Sequence, residues 1–349
     1  DAGVNAAISW AVKGLVDKEN TPRVIKQLEA VKGATPAEVE KFLNKKSDKD
    51  KLELSWEMLP TEALNNVRVW EILLDAGQVP LGALIRQLRR LTKIGVLKPL
   101  GKYTKLVVDR LNDEEELKRA RIHPLNVLNA KRAYQGVKIE GSDYWARTTG
   151  GNEGIPEVVS ALEEAFYKSF KFVEPANKRT LIGIDCSASM TQGIAGTSLT
   201  AMEASSALAM TTIRTEPQTH VVGFSGRGSA APLRITKTDN LDSAIRKVNS
   251  FNWGATDCAA PILYASKNNL EVDTFLVYTD NETYAGSIHP FEALNQYRKA
   301  TGIDARLIVV GMTSGGFTIA DKDDAGMLDI AGFDTATPKI IAEFSRGSF

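Results

Sequence analysis

The stretch that decides the fold is LIGIDCSASM, residues 181–190. Its first half is apolar or small on both faces, which is typical of a central parallel strand covered by helices on each side. The strand ends at Asp185, and Ser187 and Ser189 follow at alternate positions. One carboxylate and two hydroxyls in this D-x-S-x-S pattern can turn their oxygens toward one point. Such ligands suit Mg²⁺, so the stretch predicts a site for magnesium or another divalent cation.

Two later stretches complete the predicted site. GATD at 254–257 precedes a helical pattern and supplies Thr256, and the apolar strand DTFLVYTD at 273–280 ends on Asp280. The carboxyl ends of parallel strands share the edge at which open α/β sheets bind ligands. In order and spacing, these loops resemble the metal-ion-dependent adhesion site of the von Willebrand factor A family. The resemblance implies five metal ligands: Asp185, Ser187, Ser189, Thr256 and Asp280. The alternative is a degenerate A domain whose serines only cap the following helix.

Length and composition predict a globular protein of two domains. The chain has 349 residues, of which 43% are hydrophobic and 25% charged, and each half is long enough for its own core. No stretch approaches the roughly 20 apolar residues that cross a bilayer, so no membrane partner is expected. Cys186 and Cys258 both lie in predicted metal loops, where a disulfide is conceivable. Two free thiols in the cytosol are the simpler interpretation, and we expect a cytoplasmic protein.

The two halves of the chain differ in pattern. Residues 1–172 are predicted to form short amphipathic helices joined by tight turns, in the manner of HEAT-like helical repeats. One start signal is explicit, because Thr35, Pro36 and Glu38 match a capping box. Residues 173–349 alternate strand and helix, which predicts an α/β, doubly wound, Rossmann-like sheet. The predicted strands are 179–185, 220–225, 232–236, 273–280 and 305–312.

Positive charge is concentrated in one segment. The whole chain has a formal net charge of zero, but residues 80–138 contain 14 basic and 5 acidic residues. The helix predicted over 81–97 places Arg86, Arg90 and Lys93 on one face with Arg89 beside them. Like charges at this spacing destabilise an isolated helix, and one functional interpretation is a surface that binds phosphates. The alternatives are an ordinary solvated face or pairing with acids elsewhere. We extend these candidate polyanion contacts to Arg121 and Arg132.

Longer motifs add a specific resemblance. EMLPTEALNNVRVWEILL and ALIRQLRRLTKIGVLKPL lie within residues 56–100, and RARIHPLNVL spans 119–128. These resemble the TROVE module of the Ro 60 kDa autoantigen family. TDNETYAGSIHP at 279–290 and LIVVGMTSGGFTIADKDDAGMLDIAGFD at 307–334 are similar to the A domain of that family.

The resemblance implies a ring of helical repeats closed by an A domain. Such proteins bind small noncoding Y RNAs and the single-stranded 3′ ends of misfolded RNAs in RNA quality control. They are ribonucleoprotein components rather than enzymes, and bacterial relatives can partner with an exoribonuclease. About 172 helical residues are few for a complete ring, and the first residue is not Met. We therefore expect a truncated form in which Y RNA binding is reduced.

Two further functions are weighed against RNA binding. In one, the chain is a protein-adhesion module whose Mg²⁺ accepts an acidic side chain from a partner. In the other it is a hydrolase, which the sequence does not favour because no histidine or extra glutamate base lies in the metal loops. His123 and His289 each precede a proline, and we expect them to pack against or cap helices.

Overall fold

The computed structural model describes residues 2–14, 16–17, 19–44, 54–136, 154–195, 197, 199–226, 229–251, 254–280, 286–313, 319–334 and 336–348. The chain divides into two compact units. The first comprises Asp1–Ala120 and Asn152–Ala161, and the second comprises Arg121–Gly151 and Leu162–Phe349. Each unit is described by itself.

The described part of the first unit is helical, as predicted. Its helices are α1 (Ala2–Lys13), α2 (Arg23–Val31), α3 (Pro36–Leu43), α4 (Val67–Asp75), α5 (Leu81–Lys93), α6 (Lys102–Asn112) and α7 (Glu114–Arg119). Helices that follow one another in the chain pack together: α2 on α3, α3 on α4, α5 on α6, and α6 on α7. Serial packing of short amphipathic helices is the arrangement of helical repeats.

Local side-chain bonds set the helix starts. The capping box predicted for α3 is confirmed: the Thr35 hydroxyl accepts from the Glu38 amide, and the Glu38 carboxylate accepts from the Thr35 amide at 2.8 Å. Residues 61–74 have the sequence pattern of one amphipathic helix, but they do not form a single helix. A short 3₁₀ turn at Ala63–Asn65 precedes α4, because the Asn66 side chain accepts from the Arg68 amide at 2.8 Å and starts a new helix.

The second unit contains the sheet. Its helices are α8 (Pro124–Gln135), α9 (Pro156–Ser169, which begins in the first unit), α10 (Ala201–Thr215), α11 (Leu241–Asn249), α12 (Ala260–Lys267), α13 (Pro290–Thr301) and α14 (Thr337–Arg346). Its strands are β1 (Thr180–Asp185), β2 (Thr219–Phe224), β3 (Ala230–Pro232), β4 (Thr274–Thr279), β5 (Arg306–Gly311) and β6 (Met327–Ala331).

Helix α8 packs with the sheet unit. The domain bounds predicted from sequence were 1–172 and 173–349, with the division at the last helix before the first strand. In the structure, α8 packs against α10 and belongs to the second unit. Ion pairs contribute to this packing, since Arg132 of α8 lies 3.1 Å from Glu203 of α10, and Lys131 lies 3.0 Å from Glu163 of α9. The compact units therefore divide earlier in the chain than the predicted domains.

The sheet has the predicted doubly wound topology. Its strand order is β3-β2-β1-β4-β5-β6, and every pairing is parallel except that of β2 with β3. In the register of β1 with β2, Asp185 is paired with Phe224. The chain winds outward in both directions from β1 and β4, so the strand order reverses between them. Ligands bind outside the carboxyl ends of the strands at such a switch point.

Two strands depart from the expectation. The strand predicted at 232–236 is displaced: β3 is Ala230–Pro232, a short antiparallel edge strand in which Pro232 ends the pairing. Strand β6 was not predicted at all. It is an edge strand with mostly half-buried residues, and Asp329 interrupts its apolar pattern.

Glycine is required at one position in the centre of the sheet. A Cβ atom at Gly183 of β1 would lie 2.6 Å from Cγ of Pro261, near the start of α12. This close approach lets α12 pack directly on the strand. On this face α12 and α13 cover a core that includes Leu181, Phe275 and Tyr297, while α10 packs against β1 and β4.

Gly183→Ala is expected to destabilise the protein by about 1–3 kcal/mol, because the added methyl group overpacks the contact between β1 and α12. Urea unfolding followed by circular dichroism measures the change. The double variant Gly183→Ala/Pro261→Ala removes the nearest clashing atom and should recover part of the loss. Equal stability of the single variant and the wild type would show that α12 can move away at no cost.

Candidate metal centre and cationic helix

Asp185 is the centre of a cluster of oxygens at the carboxyl end of β1. Its side chain is fully buried. One carboxylate oxygen, Oδ1, accepts a hydrogen bond from the Ser187 amide at 2.8 Å. The other, Oδ2, accepts from the Thr279 hydroxyl at 2.9 Å and from the Thr256 hydroxyl at 3.3 Å. Residues from three separate loops or strand ends therefore converge on one carboxylate.

The two serines of the D-x-S-x-S pattern face each other. Their hydroxyl oxygens are 3.0 Å apart. Ser187 lies at the N-cap position of a 3₁₀ turn, Ala188–Thr191, but its side chain makes no cap hydrogen bond. The geometry therefore argues against the alternative in which Ser187 only caps the following turn.

Asp280 follows β4 directly and is buried. Its carboxylate oxygen Oδ1 has no hydrogen-bond partner among the described residues. Its backbone carbonyl accepts a hydrogen bond from the Thr313 hydroxyl at 2.8 Å, which holds this part of the chain in place. A buried carboxylate oxygen without a partner is costly, and a bound cation would remove that cost.

The electrostatics of the cluster also suit a cation. Burial, together with the negative charge of Asp280, raises the pKa of Asp185 to about 6, against the lowering effect of hydrogen bonds from Ser187 and Thr279. The described residues contain no group of three or more His, Cys, Asp or Glu side chains placed to hold a metal. The donor set is thus two carboxylates and neutral hydroxyls, which is oxygen-only and fits Mg²⁺.

Thr279 was missed by the sequence analysis. Its hydroxyl donates to Asp185, so it helps to orient the carboxylate. The available signal was a polar residue at the end of an otherwise apolar strand, one position before Asp280.

Cys186 and Cys258 are both buried, and the structure shows no disulfide between them. The Cys186 thiol donates to the carbonyl oxygen of Ile184 at 3.4 Å. Burial raises the pKa of Cys186 to about 12, and the charge of Asp185 adds to the effect.

The two histidines cap helices, as expected. His123 is the N-cap of α8, and its Nδ1 accepts from the Leu125 amide at 3.2 Å. His289 is the N-cap of α13 and accepts from the Phe291 amide at 3.5 Å. Each is followed by proline at the first helical position.

Helix α5 carries the predicted cationic face, which we call the α5 cationic surface: Arg86, Arg89, Arg90 and Lys93. Its opposite face is buried and includes Leu84, Leu88 and Leu91. Arg86 and Lys93 are exposed, and neither forms an ion pair with any described residue. Arg90 is half-buried, and its guanidinium donates a hydrogen bond to Asn65 Oδ1 at 3.3 Å. Arg89 is half-buried and also interacts with another group of the protein.

Arg121 and Arg132 lie in the second unit, and their environments differ. Arg121 is exposed, immediately before α8. The side chain of Arg132 is only 16% exposed and lies 3.1 Å from Glu203 and 3.6 Å from Asp242. These carboxylates neutralise Arg132, so we leave it out of the proposed RNA contacts.

A mostly parallel, doubly wound sheet with a cluster of side-chain oxygens at its switch point is the arrangement of a von Willebrand factor A domain, here preceded by helices. A model described as the Ro60 vWA domain matches residues 179–345, and a model described as the TROVE domain matches residues 45–148. The chain belongs to the Ro60 family.

Relatives from distant organisms support this. The chain is 42% identical over 355 residues to RNA-binding protein RO60 of Deinococcus radiodurans, covering 99% of this chain and 63% of that protein. It is 41% identical over 293 residues to RNA-binding protein RO60 of Caenorhabditis elegans, covering 83% of this chain and 44% of that protein. The chain therefore spans less than two thirds of the length of these curated relatives.

A solved structure gives the same result for the fold. The crystal structure of the Deinococcus radiodurans RO (RSR) protein matches with a TM-score of 0.87 and 40% identity, covering 100% of this chain and 68% of that one. Within the described ranges, no helix combines the length and the apolar character needed to cross a membrane.

Proposed function

We propose that this chain binds RNA and that the α5 cationic surface contacts RNA phosphates. The observation that carries the proposal is that Arg86 and Lys93 are exposed on a helix whose other face is fixed in the core. This helix lies within the part of the chain that matches the TROVE domain. The names of the two curated relatives, RNA-binding protein RO60, support the same function.

The proposed RNA targets follow from membership of the family. We propose small noncoding Y RNAs and the single-stranded 3′ ends of misfolded RNAs as partners, with a role in RNA quality control. Arginine and lysine on a helix bind phosphates without reading sequence. The α5 cationic surface therefore accounts for affinity, and the choice of RNA depends on other contacts.

Binding of single-stranded RNA by the full chain is expected to fall as salt rises. Each phosphate contact contributes about −0.7 to the slope of log affinity against log salt for single strands, so two to three contacts give about −1.4 to −2.1. A filter-binding titration at several salt concentrations measures this slope. A flat response, or no binding at low salt, would contradict RNA binding by this chain.

We also propose that the oxygen cluster holds Mg²⁺, with Asp185, Ser187, Ser189, Thr256 and Asp280 as ligands directly or through water. The support is the unpartnered, buried Oδ1 of Asp280 and the absence of nitrogen or sulfur from the donor set. A bound Mg²⁺ supplies positive charge and a coordination position for an acidic group. Neighbouring residues hold the Asp185 carboxylate in place, since the Thr279 hydroxyl and the Ser187 amide both donate to it.

Protein adhesion as the main function is not favoured, because the relatives are named for RNA binding. We keep the metal site as a docking position for a protein partner, such as an exoribonuclease, in addition to RNA binding. We propose a binding role rather than catalysis, and the same names support it.

A further inference from the structure

A groove in the second unit is not used by either proposal. It has a volume of about 530 Å³ and lies along α14, bordered by the start of α8 and by residues 172–174. Its volume is within the range of roughly 300–1,000 Å³ that is usual for sites that hold small molecules.

The charges that line the groove leave two cations available. Three cations and two carboxylates contribute to the lining. Arg346 pairs with Glu343 at 3.1 Å, lies 3.9 Å from Glu174, and donates to the carbonyl oxygen of Pro175 at 2.8 Å. The other two cations, Arg121 and Lys339, are exposed and form no ion pair with any described residue. The groove therefore presents unpaired positive charge.

A hydrogen-bond donor at the groove also lacks an acceptor. His123 lines the groove, and its Nδ1 accepts from the Leu125 amide. Burial lowers the pKa of His123 to about 4, although the charge of Asp334 opposes the effect. The neutral ring therefore carries its proton on Nε2, which is buried and has no partner among the described residues.

The remaining wall is apolar and contains one aromatic ring. Phe172 is half-buried, and Pro338 and Ala342 of α14 lie along the same groove. A half-buried aromatic side chain offers a surface on which a nucleobase can stack.

We propose that this groove binds a phosphorylated nucleotide, with its phosphate near Arg121 and Lys339 and its base against Phe172. The proposal does not rest on the α5 cationic surface. A free mononucleotide and the phosphorylated 5′ end of an RNA share this chemistry.

Isothermal titration calorimetry with adenosine 5′-monophosphate and the full chain tests the proposal. We expect saturable binding that weakens about tenfold in Lys339→Gln and in Arg121→Asn, because each removes a charged contact with the phosphate. Asparagine is chosen at position 121 because Arg121 has φ +50°, a conformation that asparagine tolerates. Lys299→Gln, an exposed lysine on α13 outside the groove, is the matched control and should bind as the wild type does.

Further measurements separate the sources of the nucleotide. The affinity of a short RNA with a 5′-phosphate is compared with that of the same RNA with a 5′-hydroxyl and with that of the mononucleotide. An RNA end is indicated if the 5′-phosphorylated RNA binds at least tenfold more tightly than the 5′-hydroxyl RNA and also more tightly than the mononucleotide. Equal affinity for the mononucleotide and the 5′-phosphorylated RNA would indicate a free nucleotide.

The proposal is overturned if the mononucleotide does not bind, if inorganic phosphate binds equally well, or if folded Lys339→Gln and Arg121→Asn bind the mononucleotide like the wild type. Arg86→Glu/Lys93→Glu should leave mononucleotide binding unchanged, so failure of the RNA surface and of the groove can be told apart.

Discussion

Arg86→Glu/Lys93→Glu is expected to weaken binding of single-stranded RNA roughly sixtyfold or more at about 50 mM salt. A slope of about −0.7 per phosphate contact corresponds to about eightfold in affinity between roughly 50 mM and 1 M salt, and two contacts multiply. The salt slope itself should become shallower by about 1.4. Filter binding across the salt series measures both quantities. Arg90 is left unchanged because its guanidinium donates to Asn65 and so has a structural role.

The control reverses two exposed lysines of the same unit that lie outside α5. Lys13→Glu/Lys41→Glu changes the net charge by the same amount. We expect a much smaller loss of affinity in this control and an unchanged thermal midpoint in both variants. An equal loss in the two variants would mean that total charge, rather than the α5 cationic surface, determines RNA binding.

Magnesium is expected to raise the thermal midpoint of the wild-type protein by roughly 5–10 °C at about one hundred times its Kd, because it binds only the folded state. Asp185→Asn should abolish this shift. Asparagine keeps an acceptor oxygen for the Ser187 amide, so the loop should retain its conformation. Asp304→Asn, which changes an exposed carboxylate, should keep the full shift. A normal magnesium response in Asp185→Asn would contradict the proposed ligand set.

The magnesium effect should also depend on pH. The pKa of Asp185 is about 6 in the folded protein, above its ordinary value of 3.8. The folded state therefore binds a proton more tightly, and the stability of the metal-free protein falls as pH rises from about 4 to about 6. Magnesium needs the ionised carboxylate, so its shift of the thermal midpoint should be larger at pH 7.5 than at pH 5. Differential scanning fluorimetry at the two pH values measures this, and equal shifts would contradict the assignment.

The central strands, and the order of the loops that follow them, could be predicted because each is encoded by a short run of neighbouring residues. The apolar run that ends at Asp185 and the one that ends at Asp280 each show a buried strand without any knowledge of its neighbours. The doubly wound topology then follows from the alternation of strands and helices. The capping box at Thr35 is equally local, since both of its hydrogen bonds span three residues.

The features that were missed depend on contacts between distant residues. Asp329 makes β6 look unlike a strand, but its carboxylate accepts hydrogen bonds from the amides of Ile319 and Ala320, so the charge is accommodated. Arg132 looked like part of a basic surface, but its partners Glu203 and Asp242 are far away in sequence. Thr279 was missed for a related reason, because its hydroxyl acts through Asp185, 94 residues earlier.

The two buried thiols make the protein a reporter of its own unfolding. Cys186 and Cys258 are at most 1% exposed, and the raised pKa of Cys186 keeps its thiol protonated and unreactive. An alkylating reagent in solution can therefore modify them only in molecules whose A domain has opened. The rate of mass increase under native conditions would measure how often that opening occurs, and a tightly bound ligand at the neighbouring Asp185 would slow it.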